Sequence, residues 1–420
     1  MFPKLFFILK LFGFTFSLIG QRLSLVISGK LHRLTYTASS NPKNVVVIGG
    51  SFAGYFLAQR LAGSLPSGYR VILVERHSHF HFTWNFPRST VIHGQEQKAF
   101  IPYPAKPRNS PEGSYEFKQG SAVAIEDDKV RLENGEVIGY EYLALATGSQ
   151  KRYPPTLEAN EKGECTEFFA QQQERIKTAK SIIIVGGGAA GVEVAGDIKS
   201  RYPEKNVTLV HSREHLLNSF GEKLHVRAKT ALEELGVELY LGERVVTGLD
   251  LEGPGKVALR GGKVLQCDFL IKCTGQVPDS HLLRSFSPSS IAPSGAILVE
   301  KTLQIRNAPS PRIFALGDVI DIPGPKQGRP ATMQGFLVAE NIVRNIQGKP
   351  MVEYTPSILD RSIELTLGLG KNVMYISDGT NQMAFTKKMK DESMHAAQAW
   401  RFMDAKPFHD PQPLEAKLQA

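Results

Sequence analysis

The chain has 420 residues, too many for one compact core, and this length points to two or three domains. With 42% hydrophobic and 22% charged residues it has the composition of a globular protein, which excludes a disordered or many-spanning one. The net charge of +9 would suit nucleic acid or an anionic membrane, but the basic excess is strongest at one end: Lys4, Lys10, Arg22, Lys30 and Arg33 all precede the first carboxylate, Glu75.

The first segment, residues 1–40, is a hydrophobic basic tail. From Leu5 to Ile27 it is apolar and just long enough to cross a bilayer, with Lys10 and Arg22 as its only charges. Both could snorkel to an interface. Gly13 and Gly20 weaken a clean spanning helix, so an in-plane anchor competes with a spanning one, and a transit segment or a cleaved secretory signal are the plainer readings. Membrane association through residues 1–35 is the expectation carried forward.

After the polar break Ser39-Ser40-Asn41-Pro42 comes a β-α-β unit: a strand over 44–48, a glycine turn, a helix through Leu61 and a strand over 70–74. The turn reads Gly49-Gly50-Ser51-Phe52-Ala53-Gly54. In a dinucleotide fingerprint the first glycine makes the turn, the second lets backbone approach the pyrophosphate and the third packs helix on strand. Here Ser51 holds the middle place. Glu75 ends the next strand, 26 residues after Gly49, where an acid bonds a ribose hydroxyl pair. An aromatic, histidine-rich stretch follows. His77, His79 and His81 alternate like metal ligands, but no further ligand spacing supports a metal, and none is expected.

Short strands such as KVRL and EYLALA then return to the sheet, and a second β-α-β unit opens at Ser181. Its turn, Gly186-Gly187-Gly188-Ala189-Ala190-Gly191, has all three glycines and is followed by Glu193. The strand after it ends in His211-Ser212-Arg213, with no acid to repel a 2′-phosphate, so NADPH should be accepted alongside NADH. Two such turns suggest a resident flavin and a visiting nicotinamide. Glu193 is the candidate catalytic residue, placed to orient a nicotinamide amide, with a first-turn helix acid as its plainer role. The chain ends with the helix FLVAENIVRNI and, from about Pro350, a smaller α+β region. There Met394, Ala397, Trp400 and Met403 form an apolar stripe that reads first as core.

The motifs in order, GGSFAG, Ala146-Thr147-Gly148, GGGAAGVE, Cys273-Thr274-Gly275 and Ala315-Leu316-Gly317-Asp318, resemble the FAD/NAD(P)-dependent pyridine nucleotide-disulfide reductase superfamily. FPRSTV (86–91), KAFIPY (98–103), SAVAIEDDKVRL, GVEVAGDI, LVHSREHLL and LGLGKNVMYISDG resemble its apoptosis-inducing-factor-like, ferroptosis-suppressor branch, which includes fungal members and is related to type II NADH dehydrogenases. The resemblance implies an α/β fold of two Rossmann-like domains, FAD-binding over 43–150 and 276–350 and NAD(P)-binding over 151–275, with a small α+β region over 351–420. It implies that residues 49–53 cradle the FAD pyrophosphate, that Arg88 contacts FAD, that Val123 touches the adenine end and that Asp318 binds the ribityl hydroxyls. Thr147, Gly148, Gly275 and Gly317 complete the expected cofactor contacts.

A disulfide reductase needs a cysteine pair. Cys165, Cys267 and Cys273 form no Cys-x-x-Cys, no zinc spacing and no disulfide framework, so the chain reads as intracellular and its electrons must leave to an external acceptor. The expected activity is NAD(P)H oxidation through FAD to a membrane quinone, on a mitochondrial, lipid-droplet or other cytoplasmic-face membrane. A soluble-acceptor or secondary-metabolite flavin oxidoreductase is the alternative enzyme. A redox-sensing, death-signalling flavoprotein that binds nucleic acid is the third reading, disfavoured because no basic block interrupts the core.

Overall fold

The computed structural model describes residues 29–108, 110–151, 153 and 157–410. The apolar tail through residue 28 lies outside the described residues, and so does the expectation made for it. Two parallel sheets organise the rest. In the first, β1 (Lys43–Ile48), α1 (Phe52–Ala62) and β2 (Tyr69–Glu75) form the expected unit, joined by β3 (Tyr115–Gln119) and β4 (Tyr142–Leu145). In the second, β5 (Ser181–Val185), α2 (Ala189–Arg201) and β6 (Asn206–His211) are followed by α3 (Glu222–Glu234), β7 (Glu238–Leu241) and β8 (Phe269–Lys272). The chain then returns to the first sheet with β9 (Ile313–Ala315), so the first sheet runs β9-β4-β1-β2-β3 and the second β7-β6-β5-β8.

Val45, Val46 and Val47 are fully buried because a central parallel strand is covered on both faces, which is why it reads as an unbroken apolar run. In each sheet the first strand lies between the strand that follows its helix and a strand from much later in the chain. That reversal of order leaves a crevice beyond the strand's carboxyl end, where α/β sheets place ligands. Both glycine turns lie there.

The helix α4 (Gly328–Ile346) begins eight residues before the apolar run FLVAENIVRNI. Gly328 and Pro330 read as loop residues, yet a proline in the first helical turn removes an N–H that has no intrahelical partner anyway. Beyond α4, the strands β10 (Ile363–Thr366), β11 (Lys371–Ser377) and β12 (Gln382–Lys388) form an antiparallel sheet. Leu365, Leu367, Val373 and Tyr375 share a core with Val194, Ile198 and Leu232 of α2 and α3. The final helix α5 (Ala396–Phe402) folds back onto the first sheet. Trp400 and Met403 are 1% exposed within that core, and the Trp400 indole N–H donates to the Lys98 carbonyl at 3.0 Å, so the stripe that begins at Met394 faces protein, with Ala397 half-buried beside it.

Candidate functional site

The two glycine turns are built alike. Gly49 and Gly186 have φ of +99° and +119°, and a Cβ there would stand 2.4 Å from the Ala146 carbonyl oxygen and 2.3 Å from that of Cys273. This explains the paired Ala-Thr-Gly and Cys-Thr-Gly segments: each follows the strand that passes beneath the first glycine. A Cβ on Gly54 or Gly191 would meet the carbonyl oxygen of Gly49 or Gly186 at 1.8 or 1.9 Å. The middle position differs. Ser51 caps α1 with φ −80° and ψ −159°, and Gly188 caps α2 with φ −78° and ψ −175°, extended backbone open to any residue. Nothing lies within 4 Å of a Cβ at Gly188. Serine at position 51 therefore carries no backbone penalty, and its side chain caps nothing else.

The strand ends differ in the same geometry. Glu75 Oε2 accepts the Gly50 N–H at 2.5 Å, and its Oε1 accepts from the His77 backbone at 2.9 Å and lies 2.5 Å from His77 Nδ1. Burial opposes the Glu75 charge, but the hydrogen bonds from His77 and Gly50 outweigh it and hold the carboxyl below its usual range. Tyr103 donates its hydroxyl to the Gly50 carbonyl at 2.8 Å. In the second copy His211 occupies the place of Glu75: its Nδ1 accepts the Gly187 N–H at 3.1 Å. The ring proton is therefore on Nε2, which is buried, close to the His215 backbone and the Asn218 side chain. Burial pushes the His211 pKa down, so the second copy presents a neutral donor where the first presents an anion.

Both turns open into one cavity of about 1460 Å³, larger than the usual few hundred to a thousand for a single small molecule. Of the residues singled out in the sequence, Gly49, Gly50, Ser51, Phe52, Ala53, Glu75, Val123, Thr147, Gly148, Gly188, Glu193, Gly275, Gly317 and Asp318 line it. Gly54, Gly186 and Gly191 lie behind the wall as packing glycines, and Arg213 is exposed beyond it. Arg88 does not reach the cavity. It is fully buried, with Nε 2.6 Å and Nη2 3.0 Å from the two Asp197 carboxylate oxygens and Nη1 3.1 Å from the Glu392 carbonyl. It ties the short helix Phe86–Ser89 to α2.

Glu193 lies in the second turn of α2, not the first, so the helix-dipole reading of this acid does not hold. Its Oε1 accepts from the backbone N–H and the hydroxyl of Thr366 at 3.1 and 3.0 Å. Burial pushes its carboxyl up to about 7, against the Thr366 bonds and the Arg88 charge, with Asp197 adding to the rise. The three thiols are protonated bystanders: burial drives those of Cys165 and Cys273 up to about 12 and raises that of Cys267.

Among the lining groups Arg329 and Glu364 carried no sequence signal, whereas Trp84 belongs to the aromatic stretch after Glu75. Trp84 stacks on Phe52 at 5.1 Å, and the Arg329 guanidinium sits 5.5 Å from the Trp84 ring. Arg329 is 3.8 Å from Glu364, which also meets Lys387 at 3.0 Å and His395 at 3.5 Å. The aromatic stretch between Glu75 and Arg88, expected to wall the FAD cavity, supplies His77, His81, Trp84 and Phe86 to its lining. The run His77–His81 is spent internally, on Glu75, on Asp410 and in stacking between His77 and His81. Elsewhere His215, Glu222 and His225 bring ligand atoms within 4.8 Å, but the two imidazoles stack at 14°, so their lone pairs run parallel and do not converge on an ion.

Known proteins agree with this architecture. Residues 43–335 match the model of the family described as pyridine nucleotide-disulphide oxidoreductase. Fe-regulated protein 8 of Mycosarcoma maydis is 34% identical over 80% of this chain and 89% of its own length, and ferroptosis suppressor protein 1 of Homo sapiens is 29% identical over 88% and 98%. Among solved structures, the sulfide:quinone oxidoreductase of Aquifex aeolicus superposes with a TM-score of 0.70 at 18% identity, covering 88% of this chain and 93% of that one. The NADH-bound water-forming NADH oxidase of Lactobacillus brevis gives 0.63 at 22% identity, over 80% and 75%. These two share the fold. The cradle at each glycine turn, the buried acid at one strand end and the size of the common cavity fit two dinucleotides, and the chain belongs to the pyridine nucleotide-disulphide oxidoreductase family, as an oxidoreductase that works with FAD and NAD(P)H.

Proposed function

We propose that the protein is a membrane-associated NAD(P)H:quinone oxidoreductase, with FAD seated at the first glycine turn and the nicotinamide cofactor visiting the second. The observation that carries this reading is the single cavity lined by both turns and by no cysteine pair. FAD supplies hydride acceptance and two-electron release. The chain's own part is to hold and orient. Glu75, held by the Gly50 amide, presents a carboxylate at the ribose end, the amino ends of α1 and α2 favour the pyrophosphates, Asp318 faces the sugar chain, and Glu193 sits beside the second turn to orient the nicotinamide.

With no thiol pair to receive them, the electrons pass to an acceptor from outside. Support for a quinone comes from the apolar tail and from the shared fold of the Aquifex aeolicus sulfide:quinone oxidoreductase. Residues 29–35 continue that tail as a helix with Leu31 and Leu34 exposed, and no described helix is long and apolar enough to cross a membrane.

The test is turnover by the detergent-purified, flavin-loaded full chain, with NADH and NADPH in turn. Oxidation that requires a short-chain quinone is the expected result. Equal rates with oxygen alone would refute it, and failure of the chain to float with liposomes would refute the membrane part.

A further inference from the structure

We propose that His395, paired with Glu364 in the cavity wall, gives the acceptor the proton that the hydride does not bring. The inference rests on the quinone reading above and deepens it.

Reducing a quinone to a hydroquinone takes two electrons and two protons. NAD(P)H delivers a hydride, which is both electrons and one proton. The second proton comes from solvent, and a side chain facing both water and the acceptor can relay it. In the proposed step the N–H bond of the His395 imidazolium breaks as an O–H bond forms on the acceptor oxygen, and water then recharges the neutral imidazole. No other co-reactant is needed.

The geometry places a proton donor at the right surface. His395 lines the cavity that holds both glycine turns, and its side chain is 46% exposed, so it can exchange protons with water at every turnover. Glu193, which lines the same cavity, is buried and turned onto Thr366, which leaves it no such resupply. The two are related through β10. Glu364 and Thr366 are two residues apart on that strand, so their side chains leave the same face about 7 Å apart along it. One anchors His395 and the other Glu193.

The imidazole is held in place from two directions. His395 is a non-glycine residue at φ +67°, a costly conformation, kept there by its backbone N–H donating to Asp391 Oδ2 at 3.0 Å. Its Nε2 lies 3.5 Å from Glu364 Oε1. The charged groups that face it are Glu364 from β10, Lys387 from β12, Asp391 from the preceding turn and, through Glu364, Arg329 at the start of α4. Glu364 is held down to about 2 by His395 and Lys387, so it is a carboxylate at every working pH. The contact with Glu364 in turn holds His395 above the ordinary imidazole value of 6.5, with Asp391 helping and burial and Lys387 opposing. Arg329 and Trp84 carry the wall from this pair back to Phe52, the residue after Ser51.

The experiment compares two acceptors across pH in the flavin-loaded wild type, His395→Gln and Glu364→Gln. A short-chain quinone needs the proton, whereas ferricyanide takes electrons alone. A raised histidine pKa means that the donor is charged below it and lost as pH rises through it, so wild-type quinone turnover should show an alkaline fall that ferricyanide turnover lacks. In His395→Gln that fall should vanish, and the quinone-to-ferricyanide ratio at pH 6.5 should drop about a hundredfold. In Glu364→Gln the fall should move to lower pH, a shift that a merely structural role in capping α5 would not produce. It decides the matter even if His395→Gln loses its flavin. Wild-type quinone turnover with unchanged ratio and pH profile in the variants would overturn the role of His395 alone. Absence of quinone turnover in the wild type would overturn the quinone reading and this proposal with it.

Discussion

Replacing Arg88 by methionine tests how the two sheets are held in register. Arg88 and Asp197 are both fully buried and meet fork to fork at 2.6 and 3.0 Å, with the Glu392 carbonyl as the third partner. Removing one member of such a pair leaves an uncompensated charge and costs about 3–5 kcal/mol, a large share of the roughly 5–15 kcal/mol that holds a typical domain together. Replacing both, as in Arg88→Met with Asp197→Leu, removes the stranded carboxylate, and the double variant should recover most of the loss. The pH dependence sharpens the test. Burial raises the Asp197 carboxyl and the Arg88 charge lowers it, with the net above the ordinary value, so removing Arg88 lifts it further. A folded-state pKa above the unfolded one means that the folded protein binds the extra proton, and stability falls as pH rises between the two values. Urea unfolding of flavin-loaded Arg88→Met, followed by far-ultraviolet dichroism, should therefore show a greater loss at pH 8 than at pH 6, with a limiting slope of about 1.4 kcal/mol per unit. A loss under about 1 kcal/mol, or a double variant as unstable as the single one, would refute a dry, load-sharing pair.

Three further substitutions probe the turns. Ser51→Gly should leave FAD affinity within about threefold, because the capping backbone matches that of Gly188; a large loss in flavin titration would make the hydroxyl a required ligand. His211→Glu should recreate the Glu75 arrangement and move the NADPH-to-NADH ratio of kcat/KM at least about tenfold toward NADH, since like charges placed together cost several kcal/mol. An equal fall with both donors would show that His211 does not face the adenosine ribose. Glu193 is held at about 7, so flavin reduction by NAD(P)H in stopped flow should change rate through neutral pH, and Glu193→Gln should flatten that profile; an unaltered profile would remove Glu193 from the site.

How much of this was legible in the sequence depended on how local the cause was. The first and third glycines of each turn are required by contacts inside a six-residue segment or with the strand beneath, and their spacing stood out at once. Ser51 departs from the motif, and the motif does not record that its position is an extended cap, free of the positive φ found at Gly49. Glu193 was placed one turn too early because the helix starts at Ala189, inside what reads as the turn. For His211 the residue was visible, but not the tautomer, which is set by the Gly187 amide 24 positions earlier. Arg88 carried a role borrowed from resemblance, while its partner lies 109 residues away. The cluster of Arg329, Glu364, Lys387 and His395 follows no motif, because helix, sheet and turn bring it together only after α4 and the last sheet have packed.

The two copies of the turn also explain why we assign a resident and a visiting cofactor in that order. Around the first, Tyr103 is pinned to the Gly50 carbonyl and stacked on Phe117 at 4.6 Å, while Phe52 and Trp84 stack alongside. A dinucleotide seated there would be enclosed by large rigid surfaces, with the buried Glu75 carboxylate placed to accept hydrogen bonds from its ribose hydroxyls. Around the second, the cover is the segment 212–220, with Arg213, Asn218 and Ser219 exposed and Leu216 closing over Gly187. The rim there is exposed and polar where the first is aromatic, so a dinucleotide in a comparable phosphate cradle should leave the second turn faster. A donor that must leave after every hydride belongs on that side, and a cofactor that must stay belongs on the other. The same asymmetry leaves β10 with Met394 and His395, which lead into α5, as a further face of the cavity, where Glu364 and His395 are placed to supply charge and protons for an acceptor.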